Sequence, residues 1–297
     1  MYDDEFWRSV AVQISQVSGE NFIVKHIQAV SGGCINTAYV IKDHQRRYFI
    51  KLNEAARHDM FMAEFQGLEE MAKTDTVRIP RPLCYGVSGH SAWLIMEYIE
   101  TGKTGCDSMA MFGRQMAAMH RCEKPWFGWH CDNTIGSTVQ LNSITNDWPK
   151  FFCEYRLKFQ LDLAAENGFL GRIQNRGESL IELCPKLFDG QRIIPSLLHG
   201  DLWSGNFLFD REGRAVLFDP AVYYGDREAD LAMTELFGGY SSQFYQAYFE
   251  AYPVDEGYAL RKILYNLYHI LNHLNLFGEG YLAQAEQMID KLLAELS

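Results

Sequence analysis

Asp201 and Asn206 lie five residues apart in the stretch His199-Gly200-Asp201-Leu202-Trp203-Ser204-Gly205-Asn206. Asp219 follows thirteen residues later, at the end of the apolar run Val216-Leu217-Phe218. These are the residue types that phosphoryl transfer needs. One carboxylate orients an acceptor hydroxyl and takes its proton, while an amide oxygen and a second carboxylate hold Mg2+ against nucleotide phosphates. In that scheme Asp201 is the catalytic carboxylate and Asn206 and Asp219 are the metal ligands. The plainer alternative is that Asp201 and Asn206 cap a turn, as Asp, Asn and Gly often do. The apolar strand ending in a second Asp favours the chemical reading.

The loop resembles the protein-kinase catalytic loop, with His-Gly-Asp in place of His-Arg-Asp, and Asp219-Pro220-Ala221 stands where Asp-Phe-Gly would. Such a site needs other elements upstream, and they occur in order. Arg47-Tyr48-Phe49-Ile50-Lys51-Leu52 reads as a strand rich in β-branched and aromatic residues, with Lys51 in the place of a phosphate-binding lysine. The stretch 60–72 reads as a helix, with Phe61, Phe65, Leu68 and Met71 at three- and four-residue intervals. Glu64 falls inside that apolar stripe, where a carboxylate is costly to bury unless a cation meets it. Lys51 is the expected partner, the alternative being that both charges reach water. Gly32 and Gly33 form a turn between two strand-like runs, where backbone N–H groups can approach phosphate oxygens. The run Trp93-Leu94-Ile95-Met96-Glu97-Tyr98-Ile99-Glu100 suits an inter-lobe hinge, with Glu97, Tyr98, Ile99 and Glu100 placed to meet the nucleotide base.

From Gly32-Gly33-x-Ile35-Asn36 to Asn272-His273-Leu274-Asn275-Leu276-Phe277-Gly278, the chain resembles the fructosamine kinase (ketosamine-3-kinase) family. The most specific matches are Leu198 through Asn206 and Phe218-Asp219-Pro220-Ala221-Val222-Tyr223-Tyr224-Gly225-Asp226-Arg227-Glu228-Ala229-Asp230. Phe127-Gly128, Asp132-Asn133, Ile135-Gly136 and Gln140-x-Asn142 also match. The resemblance implies an α+β, bilobal, protein-kinase-like fold shared with aminoglycoside and choline kinases. It implies ATP and Mg2+ as cofactors, and phosphorylation of the 3-hydroxyl of a ketosamine, after which the 3-phosphate leaves and the amine is freed. It also implies proton acceptance by Asp201, metal binding by Asn206 and Asp219, and nucleotide contacts from Tyr98 to Glu100. Trp203, Asp226, Arg227 and His273 are the candidate substrate residues. Val139 and Ile144 depart from the family pattern, in which many members carry Pro and Trp. Two other readings stay open: a kinase of another small alcohol (an aminoglycoside, choline or a free sugar), and a nucleotide-binding pseudokinase.

The chain has 297 residues and is 47% hydrophobic, enough for one large core or two modest ones. The expected division is a nucleotide-binding lobe over 1–98 and an acceptor-binding lobe over 99–297. A formal charge of −11 argues against nucleic acid as a partner, which demands clustered Lys and Arg. No apolar run approaches membrane-spanning length, and the acidic start with Asp3, Asp4 and Glu5 does not read as a signal peptide. A cytoplasmic enzyme acting on ATP and a glycated amine or glycated protein is expected, as a monomer or a redox-dependent homodimer.

Seven cysteines, at 34, 84, 106, 122, 131, 153 and 184, show no CxxC pair and no framework spacing, so they read as reduced thiols. Cys34 stands apart in the glycine turn, where it is either an oxidisable thiol or an inert small residue. Asn266, His269 and His273 make a polar row expected to line or buttress the acceptor site, and without a third ligand the two histidines do not read as a zinc site. Trp126, Phe127, Trp129 and Trp148 either wall a sugar or fill a core. Asp230, at the start of an apolar helical run, is expected to brace the catalytic-loop backbone.

Overall fold

The computed structural model describes residues 2–30 and 35–296 and divides into two compact units. The first comprises 1–105 and 208–219, the second 106–207 and 220–297.

In the first unit, helix α1 (Asp4–Ser18) buries Phe6, Trp7, Val10, Ala11 and Ile14, spaced three and four apart along one stripe. Asp3 caps its first turn by accepting from Phe6 N–H at 2.9 Å, and Gly19 closes it in the left-handed region at φ 73°. The antiparallel sheet contains β1 (His26–Val30), β2 (Thr37–Lys42), β3 (Arg47–Glu54), β4 (Pro82–Ser88) and β5 (Ser91–Glu97) in the order β1-β2-β3-β5-β4. Ile50 and Leu52 of β3 join Ile41, Trp93 and Ile95 in a core against α1. Side chains alternate across a strand, so Lys51 between them turns to the opposite face. There α2 (His58–Ala72) packs on β4 and β5, burying Phe61, Leu68 and Met71. The chain returns to this unit through the hairpin of β9 (Phe207–Phe209) and β10 (Ala215–Leu217), whose Val216 bridges Arg78 in parallel.

The second unit is mainly helical: α3 (Ser108–Met119), α4 (Trp148–Phe152), α5 (Phe159–Glu166), α6 (Arg172–Leu183), α7 (Glu228–Leu236), α8 (Ser242–Ala251), α9 (Tyr258–Phe277) and α10 (Leu282–Leu296). A π-helical turn, Cys153–Lys158, joins α4 to α5, and a 3-10 turn, Cys184–Phe188, follows α6. Two short pairs of strands complete it: the hairpin β6 (Asn133–Ile135) with β7 (Thr138–Gln140), and β8 (Ser196–Leu198) with β11 (Tyr223–Gly225). Among the described residues no helix is long and apolar enough to cross a membrane.

Three of the four rings of the aromatic segment are core, and Trp126 is half-buried. Phe127, Trp129 and Trp148 are buried, Trp148 stacks on Phe151, and its Nε1 donates to Tyr265 Oη at 3.0 Å. A sugar wall is thus not what these three rings form, because burying their apolar area against helices is the stronger driving force. Val139 and Ile144, at the positions departing from the family pattern, are exposed.

Helices α3 and α8 pack backbone to backbone at Gly113, where a Cβ would meet the carbonyl oxygen of Phe244 and lie 3.1 Å from Tyr248 N. Gly113→Ala should therefore force two helices apart and cost about 1–3 kcal/mol, a Tm loss of roughly 2–10 °C by differential scanning calorimetry. An unchanged Tm would mean that the contact is looser than the structure shows.

Candidate active site

In the first unit, strand β3 and helix α2 bring Lys51 and Glu64 together. Lys51, 5% exposed, makes ion pairs with Glu64 and, at 2.5 Å, with Asp219. Burial opposes the lysine charge, but the carboxylates of Asp219 and Glu64 outweigh it and hold the ammonium above its ordinary value. Burial pushes the Glu64 carboxyl up, and the charge of Asp219 adds to it, against the pull of Lys51. Two carboxylates share one ammonium. Asp219 is one of two described non-glycine residues with positive φ, at 57°, and Pro220 follows it. That conformation is uncommon outside glycine, though Asp tolerates it better than most residues.

The segment expected to meet the nucleotide base lies in the same unit. Glu97 accepts from Arg78 at 2.7 Å and from the backbone N–H of Arg81 at 3.2 Å. Arg47 stacks over the Tyr98 ring at 5.1 Å, and Glu100 pairs with Arg47 and with Arg211. Ile99 is half-buried. Gly32, Gly33 and Cys34 lie outside the described residues.

In the second unit, the loop after β8 is held from below. Asp230, on the first turn of α7 and 2% exposed, accepts from His199 N–H at 2.7 Å and from Gly200 N–H at 2.9 Å. His120 Nε2 lies 3.1 Å from the same carboxylate, and its Nδ1 lies 2.7 Å from the Tyr248 hydroxyl. Burial works against the Asp230 charge, but the hydrogen bonds from His120 and from the His199 backbone prevail, so its carboxyl stays below the ordinary value. Gly200 is at φ 81°, and a Cβ there would run into the Ala221 carbonyl. The loop comes this close because Ala221 N–H donates to the His199 carbonyl at 2.8 Å.

Asp201 emerges from this braced backbone. Its N–H donates to His199 Nδ1 at 3.2 Å. Asn206 Nδ2 donates to the Asp201 carbonyl and to its Oδ2, both at 2.8 Å. The five-residue spacing thus folds the amide back onto the carboxylate. With Nδ2 spent on Asp201, the amide oxygen is the donor atom that Asn206 has to offer a cation. Amide and carboxylate oxygens are the hard donors that Mg2+ prefers, so Asn206 and Asp219 fit that ion by chemistry. Among the described residues no three His, Cys, Asp or Glu side chains group as metal ligands.

The candidate substrate residues divide. Trp203 is 38% exposed and meets Phe237 edge-on at 6.4 Å. His273 lies against Phe237, Phe277 and Tyr281, with Nδ1 2.7 Å from the His269 carbonyl. Asp226 is buried, accepting from Tyr265 Oη at 2.5 Å and from Glu228 N–H at 3.0 Å. Arg227 stacks over Tyr252 at 3.7 Å and donates to the carbonyls of Tyr252 and Pro253. The contacts of Asp226 and Arg227 are thus internal. Asn266, on the same helix as His269 and His273, also lines a groove of about 270 Å3 between α9 and α10.

A buried amide network escaped sequence reasoning. Asn133 donates to the Val222 carbonyl at 2.8 Å, and Gln140 donates to Asn133 at 2.8 Å and to the Ala221 carbonyl at 3.1 Å. Asn142 donates to Asn133 at 3.0 Å and accepts from Arg156 at 2.8 Å. The short motifs Asp132-Asn133 and Gln140-x-Asn142 carried the only signal for it, as polar residues at fixed offsets in short strands.

The family model described as fructosamine kinase matches residues 6–295. The chain belongs to the fructosamine kinase family. A protein named probable ketoamine kinase from Synechocystis sp. is 47% identical over 288 residues, 97% of each chain. A chloroplastic protein-ribulosamine 3-kinase from Oryza sativa is 42% identical over 273 residues, 91% of this chain and 79% of the relative. Among solved structures, a protein of Haemophilus somnus named putative fructosamine-3-kinase superposes with a TM-score of 0.89 at 29% identity, covering 97% of both chains. A choline kinase from Streptococcus pneumoniae, at 17% identity and a TM-score of 0.65, shares the fold alone. The fold is the α+β protein-kinase-like one, and members of the fructosamine kinase family are ATP-dependent kinases.

Two predictions follow the geometry. Lys51→Met leaves Glu64 buried without its cation, and breaking a buried pair costs about 3–5 kcal/mol. Lys51→Met combined with Glu64→Gln should recover most of that loss in urea unfolding, and strict additivity of the single changes would count against the pair. Asp230→Asn turns an NH2 toward groups that donate and should cost about 2–4 kcal/mol. It should lower kcat while KM for ATP stays nearly constant. Because the Asp230 carboxyl lies below its ordinary value, its contribution is complete at neutral pH and is lost as pH falls through that lowered value. The variant should lack this acid limb in a pH–stability profile; an unaltered limb would place the titration elsewhere.

Proposed function

We propose that this chain transfers the terminal phosphoryl group of ATP to the 3-hydroxyl of a ketosamine, a fructosamine- or ribulosamine-type Amadori product. Elimination of the 3-phosphate then frees the amine. Membership of the fructosamine kinase family supports the reading, and the observation that carries it is the Asp201–Asn206 hydrogen-bond pair on a loop anchored by Asp230.

In this reading Asp201 accepts the proton of the acceptor hydroxyl as the oxygen attacks phosphorus. Asn206 fixes the rotamer of that carboxylate, so little orientation remains to be lost on reaching the transition state. Lys51 neutralises phosphate charge, with Glu64 holding its ammonium in place. Asn206 and Asp219 would be the ligands of Mg2+, which when bound would supply charge neutralisation at the phosphates. Residues 1–98 serve the nucleotide, with Gly32, Gly33, Glu97 and Tyr98 contacting it together with Ile99 and Glu100 at the start of 99–297, and the rest of 99–297 carries the catalytic loop and serves the acceptor. Trp203, 38% exposed, and His273 are the acceptor contacts in this reading. A reducing cytoplasmic setting goes with the free thiols, and Cys34 in the glycine turn would make any homodimer redox-dependent.

Asp201→Asn keeps the shape of the loop and removes the base. It should lower kcat by about 10²–10⁴-fold while leaving ATP affinity little changed. ADP release should be measured with fructosyllysine, ribulosyllysine, choline, an aminoglycoside and a free sugar. Turnover confined to the two ketosamines is the expected result. Turnover of another alcohol moves the chain to that chemistry, and ATP binding without turnover on any acceptor makes it a pseudokinase.

A further inference from the structure

The chain scatters its cysteines without a recognisable spacing, yet two of them meet. Cys153 opens the π-helical turn, Cys184 opens the 3-10 turn after α6, and 31 residues separate them. Cys153 Sγ lies 3.0 Å from Cys184 Sγ, in hydrogen-bonding contact, and 3.9 Å from the Ile181 carbonyl. Both are free thiols, Cys153 7% exposed and Cys184 wholly buried. A disulfide bond is about 2.0 Å long, so roughly 1 Å of sulfur movement would close it.

From this juxtaposition we infer that Cys153 and Cys184 form an oxidative modification site, a buried dithiol that hydroperoxides convert to an intramolecular disulfide. The neighbouring Cys153 thiol and burial push the Cys184 thiol well above its ordinary value, so Cys184 is a poor first nucleophile. Cys153, which retains some exposure, takes the first step. Its sulfur attacks the terminal oxygen of the hydroperoxide, the O–O bond breaks, and a sulfenic acid and water (or an alcohol) result. Cys184 sulfur then attacks the Cys153 sulfur and displaces water. With hydrogen peroxide the balance is two thiols plus H2O2 to one disulfide plus two H2O, a two-electron oxidation of sulfur that reduces peroxide. Cys184 is placed to intercept the sulfenic acid before a second peroxide carries it to the sulfinic stage.

The bond would tie the turn that carries Arg156 to the end of α6. Arg156 is wholly buried, donates to Leu141 O and Asn142 Oδ1, and lies over the ring of Tyr223 at 4.3 Å. Oxidation would therefore restrain a segment joined to the amide network.

The test treats the folded full-length protein with graded hydrogen peroxide, alkylates remaining thiols in denaturant, and maps peptides without reduction. A peptide pair joining Cys153 to Cys184, two hydrogens lighter than the reduced pair, is expected. The same treatment of chain unfolded in urea should scatter the pairing among other cysteines. Cys153→Ala and Cys184→Ala, checked for native circular dichroism, should each leave the partner alkylated. The linked protein should melt roughly 5–10 °C higher, since the bond closes a loop of about 30 residues. The inference falls if both thiols are still alkylated at doses that oxidise the exposed Cys106. It also falls if Cys153 is recovered as a sulfinic or sulfonic acid, or if the linked protein melts no higher than the reduced one.

Discussion

The carboxylate of Asp230 is the point on which the catalytic loop hangs. Two consecutive backbone N–H groups, those of His199 and Gly200, point inward and need acceptors, and β8 has ended by then. An unmet N–H buried in a helical core costs about as much as a lost hydrogen bond. Asp230 meets both, and its own desolvation is offset by His120, which Tyr248 in turn holds in place. The carboxylate sits in the first turn of α7, where the helix dipole also favours negative charge. Residue identity at 200 follows from the same anchoring, because a backbone drawn that close to Ala221 leaves no room for a side chain.

A second constraint acts on the backbone of Ala221 and Val222. Their carbonyls are taken by Gln140 and Asn133, on a hairpin of only three residues per strand. A hairpin this small has little stability of its own. It is ordered by side-chain amides that interlock and by Arg156, whose guanidinium supplies donors that no apolar residue could. Buried polar networks of this kind specify one arrangement, since each member left unpaired carries a desolvation penalty.

The Lys51 cluster works differently. Glu64 and Asp219 both hold one ammonium, and the second carboxylate has more exposure, with 43% of its side chain open to solvent against 10% for Glu64. Asp219 is thus the partner that can be exchanged at least cost, because less of its charge depends on the lysine for solvation.

Local chemistry was legible in the sequence. The strand bearing Lys51, the helix bearing Glu64 and the Asp-x4-Asn loop all follow from periodicity and short spacings, which the backbone converts directly into faces and turns. Asp230 could be read as a brace because a helix-start Asp has a defined local habit. The aromatic run 126–148 was open between a sugar wall and a core, because composition does not say which way a ring faces; burial turned Phe127, Trp129 and Trp148 inward. The internal partners of Asp226 and Arg227 were likewise hidden, since Tyr265 and Tyr252 come from elements 39 and 25 residues away. His120 had no visible signal at all, being one polar residue at the end of an apolar helix, 110 residues from the carboxylate it meets. Cys153 and Cys184 show the same limit most plainly. Each reads alone as a small buried residue, and only the packing of α6 against the π-helical turn decides that their sulfurs touch.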